Sequence, residues 1–160
     1  MDDASHGTTV DTTALLATFE ALLRQHGASA QLRPAIVATL KEAFNATREA
    51  CERRLLKDGN GTRCAENLSE AEDLIISTLF GFAAQRLFDG DRQPIAVVAV
   101  GGYGRGTLAP GSDIDLLFVL PDKQSAWVQN VVEFILYCLW DTRQKVGHAT
   151  RSVDECIRLS

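Results

Sequence analysis

The sequence predicts a fold of the α+β or α/β kind, in which N-terminal helices lead into a small mixed sheet. Two features of the apolar pattern carry that expectation. Up to about residue 88 the apolar side chains recur at helical spacing. After Asp89-Gly90-Asp91 they merge into a continuous, β-branched run over residues 95–100, the pattern of a strand buried on both faces. The composition supports one globular core rather than disorder, since 46% of the 160 residues are hydrophobic and 23% are charged.

The elements follow in chain order. Leu15, Leu16, Phe19, Leu22 and Leu23 lie on one stripe and predict a helix from Thr12, ending at Gly27, which suits a left-handed cap. Pro34, favoured in a first turn, should open a second helix running through Ile36, Val37, Leu40, Phe44 and Cys51 towards Leu55. Asp58-Gly59-Asn60-Gly61 is turn chemistry. Ser69 then reads as the cap of a third helix reaching Phe88, with Glu70, Glu72 and Asp73 as a solvated, dipole-stabilised first turn. Beyond the run at 95–100 come a glycine-rich loop at 101–112, a strand at 113–120, a helix at 126–141 and a shorter strand at 146–151. Ser152-Val153-Asp154-Glu155 has the form of a capping box and predicts a last helix through Ile157. Because that helix is cut about two turns in, the chain is expected to be the N-terminal part of something longer.

Charge and cysteine usage narrow the function classes. A net charge of -5 gives no footprint for holding a nucleic acid. Residues 1–13 have neither the basic nor the apolar segment of a signal peptide, and no stretch reaches the roughly 18 apolar residues of a membrane span. A cytoplasmic, soluble protein is expected. Cys51, Cys64, Cys138 and Cys156 form no C-x-x-C pair, and His6, His26 and His148 are scattered, which excludes zinc-ligand spacing. Reduced structural thiols are expected, with a Cys51–Cys64 bridge as the alternative.

The chemistry concentrates in Asp113-Ile114-Asp115. Residues i and i+2 of a strand share a face, so two carboxylates stand side by side and repel unless a cation lies between them. Oxygen ligands of this kind suit magnesium, which binds one or two carboxylates together with substrate phosphates. An isolated Asp-x-Asp more often solvates a strand start. Here Gly101 and Gly102 directly follow a strand, where bare backbone N–H groups can approach a phosphate. Ser112 adds a hydroxyl and Arg105 a guanidinium for a departing pyrophosphate. A dinucleotide-binding fingerprint fails because its third glycine would fall at Thr107, and a Walker loop lacks its Gly-Lys-Ser/Thr.

The run Gly101-Gly102-Tyr103-Gly104-Arg105-Gly106, a short spacer and Ser112-Asp113-Ile114-Asp115-Leu116 resembles the signature of DNA polymerase beta-like nucleotidyltransferases. Within them it is most similar to bifunctional PII uridylyltransferase/uridylyl-removing enzymes, a likeness extended by Leu139-Trp140-Asp141, residues 145–149 and Arg151-Ser152-Val153. The apolar spacing gives a helical region over 1–90, and the resemblance implies a partial nucleotidyltransferase core over 91–160. It also implies transfer of UMP from UTP to a tyrosine of the nitrogen-signalling protein PII, with release of pyrophosphate. Gly101 and Gly102 would contact the triphosphate, and Asp113 and Asp115 would hold Mg2+. Family members continue with a hydrolase domain that removes UMP and two domains that sense glutamine, so the removing activity is not expected of these residues. Adenylyl transfer, or nucleotide binding without turnover, are the competing readings.

The superfamily takes a third carboxylate from a later strand, and residues 146–151 supply none; Asp154, Glu155 or a residue further on are the candidates. His148, Tyr103 and Trp140 are expected to pack locally rather than to contact substrate.

Overall fold

The computed structural model describes residues 10–160. The polar stretch before them, His6 included, lies outside the described residues. Three helices come first: α1 (Thr12–His26), α2 (Leu32–Asp58) and α3 (Gly61–Phe82), the last prolonged by a π-helical turn, Ala83–Leu87. Strand β1 (Ala96–Val100), the one-turn α4 (Gly101–Gly104), β2 (Ile114–Val119), α5 (Ala126–Asp141), β3 (Val146–Arg151) and α6 (Val153–Leu159) follow.

Caps explain most boundaries. Asp11 accepts from the Ala14 N–H at 2.9 Å to start α1, and the Gly27 N–H closes it on the Leu23 carbonyl. Pro34 is the third residue of α2 rather than the first; its missing N–H is among the four that a helix start leaves unpaired, so Leu32 can precede it. The third helix begins earlier than its sequence suggests. Gly59 ends α2 in the left-handed region, and Asn60 immediately caps α3 by accepting from Arg63 N–H at 3.0 Å. Ser69 is therefore buried in mid-helix and donates back to the Ala65 carbonyl at 2.9 Å. Of the acidic cluster, which also lies in mid-helix, Glu70 and Asp73 are exposed as expected, whereas Glu72 is only 5% exposed.

The sheet is mixed and three-stranded, in the order β1-β2-β3, with β1 antiparallel and β3 parallel to β2. Residues 95–100 do not form a strand buried on both faces. They supply an edge strand, and Val98 remains 39% exposed, because helices cover only one side of this small sheet. On the covered side Ile114, Leu116, Phe118 and Leu120 join a core that runs without a break from Leu15 of α1 to Leu139 of α5. Phe82 links α1 to α5, its ring lying 5.4 Å from Phe19 and 6.4 Å from Phe134. The segment before β1 is stitched to the start of α5: Trp127 Nε1 donates to the Phe88 carbonyl, and Ser125 bonds both Asp91 and Gln93. Those bonds fix where β1 enters the sheet.

Three of the four cysteines belong to the core, while Cys156 on α6 is only half-buried. Cys51, Cys64 and Cys138 are buried; Cys64 is a free thiol, so the alternative bridge to Cys51 is not formed. Burial pushes the Cys138 thiol up to about 12, leaving it protonated and inert. No helix among the described residues is long and apolar enough to cross a membrane.

Candidate active site

The glycine loop leaves β1 and returns into β2, so its two ends are held by neighbouring antiparallel strands. Val100 faces Asp115 across that pair, and Gly147 faces Asp115 from β3. Asp115 therefore sits in the middle strand with a neighbour on each side. It lies on the open face, because the alternate residues Ile114 and Leu116 are the buried ones.

The two glycines beside this carboxylate explain themselves. A Cβ on Gly101 would stand 2.8 Å from Asp115 Oδ2, and one on Gly147 would stand 2.5 Å from Oδ1. Any side chain at either position would collide with the carboxylate. Gly101 also has φ +62°, a conformation that side chains disfavour. The site is thus a half-buried acid whose two oxygens are flanked by bare backbone. Gly147 belongs to no motif that sequence reasoning picks out as functional, although a glycine inside a strand is a recognised sign of close approach.

The other candidates lie along the loop and at its return into β2. Asp113 is exposed and stands directly before β2 rather than within it. Gly102 is half-buried and its surroundings are open: the nearest groups to a Cβ placed there are Arg105 Nη2 and Thr107 Oγ1, both at 3.9 Å. The exposed Arg105 guanidinium therefore leans over Gly102. Internal bonds stiffen the loop, with Arg105 N–H donating to Gly101, Gly106 N–H to Tyr103 and Thr107 N–H to Gly102. Ser112 Oγ accepts from the Ala109 N–H at 3.2 Å, so the hydroxyl shapes the turn and still has its own proton to donate.

Sheet topology decides the roles of the nearby aromatic and acidic side chains. His148 pairs with Leu116, which puts it on the face opposite Asp115, and its ring lies against Trp140 at 5.4 Å. Trp140 in turn meets Tyr137 edge-on; Tyr103 is 4% exposed and packs in the core, whereas His148 and Trp140 lie against each other with both rings exposed. Asp154 and Glu155 are poorly placed to serve as a third carboxylate. They follow the far end of β3, roughly 15 Å from the Gly147 level at about 3.3 Å per residue, and the Glu155 carboxylate accepts from the Ser152 N–H in the capping box. Among the described residues no group of three or more histidine, cysteine or acidic side chains could hold a metal. Magnesium needs no such cluster, since it is routinely bound through one or two carboxylates while phosphates and water supply its remaining ligands.

Comparison with known proteins bears on this geometry. The nucleotidyltransferase domain family model matches residues 84–154, which span β1, the glycine loop, β2, α5 and β3. The chain is 51% identical over 156 aligned residues to a bifunctional uridylyltransferase/uridylyl-removing enzyme of Bradyrhizobium diazoefficiens. It is 48% identical over 153 residues to the protein of that name in Rhodopseudomonas palustris. Each match covers 92% of this chain, and the chain spans only 16% of the length of either relative. A Nitrobacter hamburgensis protein of the same name is 48% identical over 98% of the chain. No solved structure matches. The chain thus carries a nucleotidyltransferase domain, and its relatives along nearly all of its length are bifunctional uridylyltransferase/uridylyl-removing enzymes.

Proposed function

We propose that these residues form the catalytic core of a uridylyltransferase, which moves UMP from UTP to a tyrosine hydroxyl of a PII-type nitrogen-signalling protein and releases pyrophosphate. The observation that carries the reading is the seat of Asp115, whose carboxylate is flanked by Gly101 and Gly147 at the end of the glycine loop. In this reading Gly101 and Gly102 hold the triphosphate through backbone N–H groups, and Ser112 donates to a phosphate oxygen. Arg105 balances the charge on the leaving pyrophosphate. Asp113 and Asp115 hold Mg2+, which would supply charge neutralisation at the reacting phosphate. The acceptor oxygen attacks the α-phosphorus as the bond to pyrophosphate breaks.

Roles divide along the chain: residues 91–160 carry the chemistry, and 1–90 support it. The names of the relatives favour uridylyl transfer over adenylyl transfer; in this reading the residues belong to a larger, cytoplasmic, multifunctional regulator of nitrogen metabolism. One observation favours a second reading. Strand β3 bears no acid to accept the tyrosine proton, which suits nucleotide binding without turnover by these residues alone.

Incubation with labelled UTP, magnesium and a PII-type acceptor tests the proposal. Label transferred to the acceptor, and abolished when its tyrosine is replaced by phenylalanine, is the expected result. Transfer from ATP in preference to UTP would overturn the uridylyl assignment. UTP bound but never transferred would favour the second reading.

A further inference from the structure

The glycine loop is tied to α3 by contacts that the proposed chemistry does not use. The Tyr103 hydroxyl donates to Asp73 Oδ1 at 2.6 Å, and the Leu108 N–H donates to Ser69 Oγ at 3.2 Å. Ser69 and Asp73 are four residues apart on one helix and so share a face. Each bond arises beside a loop side chain that is itself buried, Tyr103 at 4% exposure and Leu108 at 2%. The Ser69 proton is committed to the Ala65 carbonyl, which leaves the oxygen's lone pair for Leu108. A cleft of about 210 Å³ between α3 and β1 is lined by both Asp73 and Tyr103.

The loop therefore has two supports on opposite faces of the sheet. On the open face Gly101 lies against Asp115; on the covered side Tyr103 and Leu108 are fastened to α3. The bonds from Arg105, Gly106 and Thr107 are internal to the loop and do not tell it where to stand relative to the sheet. We propose that Asp73 and Ser69 are positioning residues for nucleotide binding: through Tyr103 and Leu108 they set where the Gly101-Gly102 N–H groups and Arg105 stand relative to Asp115. This rests on the reading of the loop as the triphosphate site. Neither residue touches the nucleotide, and α3 thereby gives the helical region a direct hold on the site.

Tyr103→Phe is the sharpest test, because it keeps the buried ring and removes only the bond. In the full-length protein, calorimetry of Mg-UTP and steady-state kinetics are expected to give Kd and KM raised about tenfold, with kcat and Tm little changed. Asp73→Ala should match it, the double variant should be no worse than either single one, and Asp73→Asn, which keeps an acceptor oxygen, should recover most of the affinity. A purely structural contact would lower Tm and leave Kd alone, and that result overturns the proposal. Wild-type binding lost in Asp115→Asn but unchanged in Tyr103→Phe would overturn the clamp and spare the site. Failure of the wild-type protein to bind any Mg-nucleotide would remove both.

Discussion

The carboxylate of Asp115 is the group on which the proposed chemistry depends. Removing a metal ligand withdraws several kcal/mol of transition-state stabilisation, so Asp115→Asn should lower turnover roughly a thousandfold or more, measured as initial rate of uridylyl transfer. Gly147→Ala tests the geometry rather than the charge. Its Cβ would stand 2.5 Å from Asp115 Oδ1, and Gly147 is exposed, so turnover should fall on the order of a hundredfold while Tm barely moves. Unchanged activity in that variant would mean the carboxylate need not stay where it is. Glu72 makes a separate prediction about pH. Burial pushes its carboxyl from 4.5 up to about 8, against a partial pull down by Arg48 on α2 and with a small push from Asp73; among the described residues Oε2 has no hydrogen-bond partner. Tyr103, held protonated by burial and by its bond to Asp73, is the loop's titratable group nearby. Since the folded value exceeds the unfolded one, the folded chain keeps a proton that the unfolded chain releases. Stability should therefore fall as pH rises from about 4.5 to about 8 and level off above, by on the order of 5 kcal/mol at most. Glu72→Gln should flatten that dependence in urea unfolding at about pH 5 and about pH 9.

At the scale of elements, Phe82 joins three helices, and Phe82→Ala should cost about 3–5 kcal/mol of unfolding free energy by denaturant titration. A smaller loss would place the load on Phe19 and Phe134 instead. The elements that are legible in the sequence share a property: a local cap or a clean period decides them. Asp11 and Gly27 bound α1, Ser125 starts α5, and the Ser152-Glu155 box starts α6 with both reciprocal bonds present. Where local chemistry points two ways, sequence misleads. Ser69 followed by acids looks like a cap, yet Asn60 provides one nine residues earlier and the apolar series Cys64, Leu68, Ile75, Leu79 passes straight through it. The run at 95–100 looks doubly buried because residue type reports a strand's hydrophobicity and not its position in the sheet. The same limit hides Gly147 and the ties from α3, which depend on pairing between segments distant in sequence. By contrast Gly101, Gly102, Asp113 and Asp115 can be picked out as candidates because they lie close together in the chain.

The whole molecule is a single core with an open sheet face. The helical region and the strand region share buried residues from Leu15 to Leu139, so a division by role is not a division by folding. Residues 91–160 expressed alone should lack α1 to α3, expose the covered face of the sheet and show no cooperative thermal transition by circular dichroism. A cooperative transition there would show that the helices are dispensable. The open face, by contrast, is where Asp115 and the glycine loop meet, and in the proposed reading it is the face that takes the nucleotide. Calorimetric titration of UTP with magnesium into the protein and into Asp115→Asn tests that claim most directly. Magnesium-dependent binding of UTP that disappears in the variant is the expected result, and binding that persists unchanged in Asp115→Asn would contradict the site.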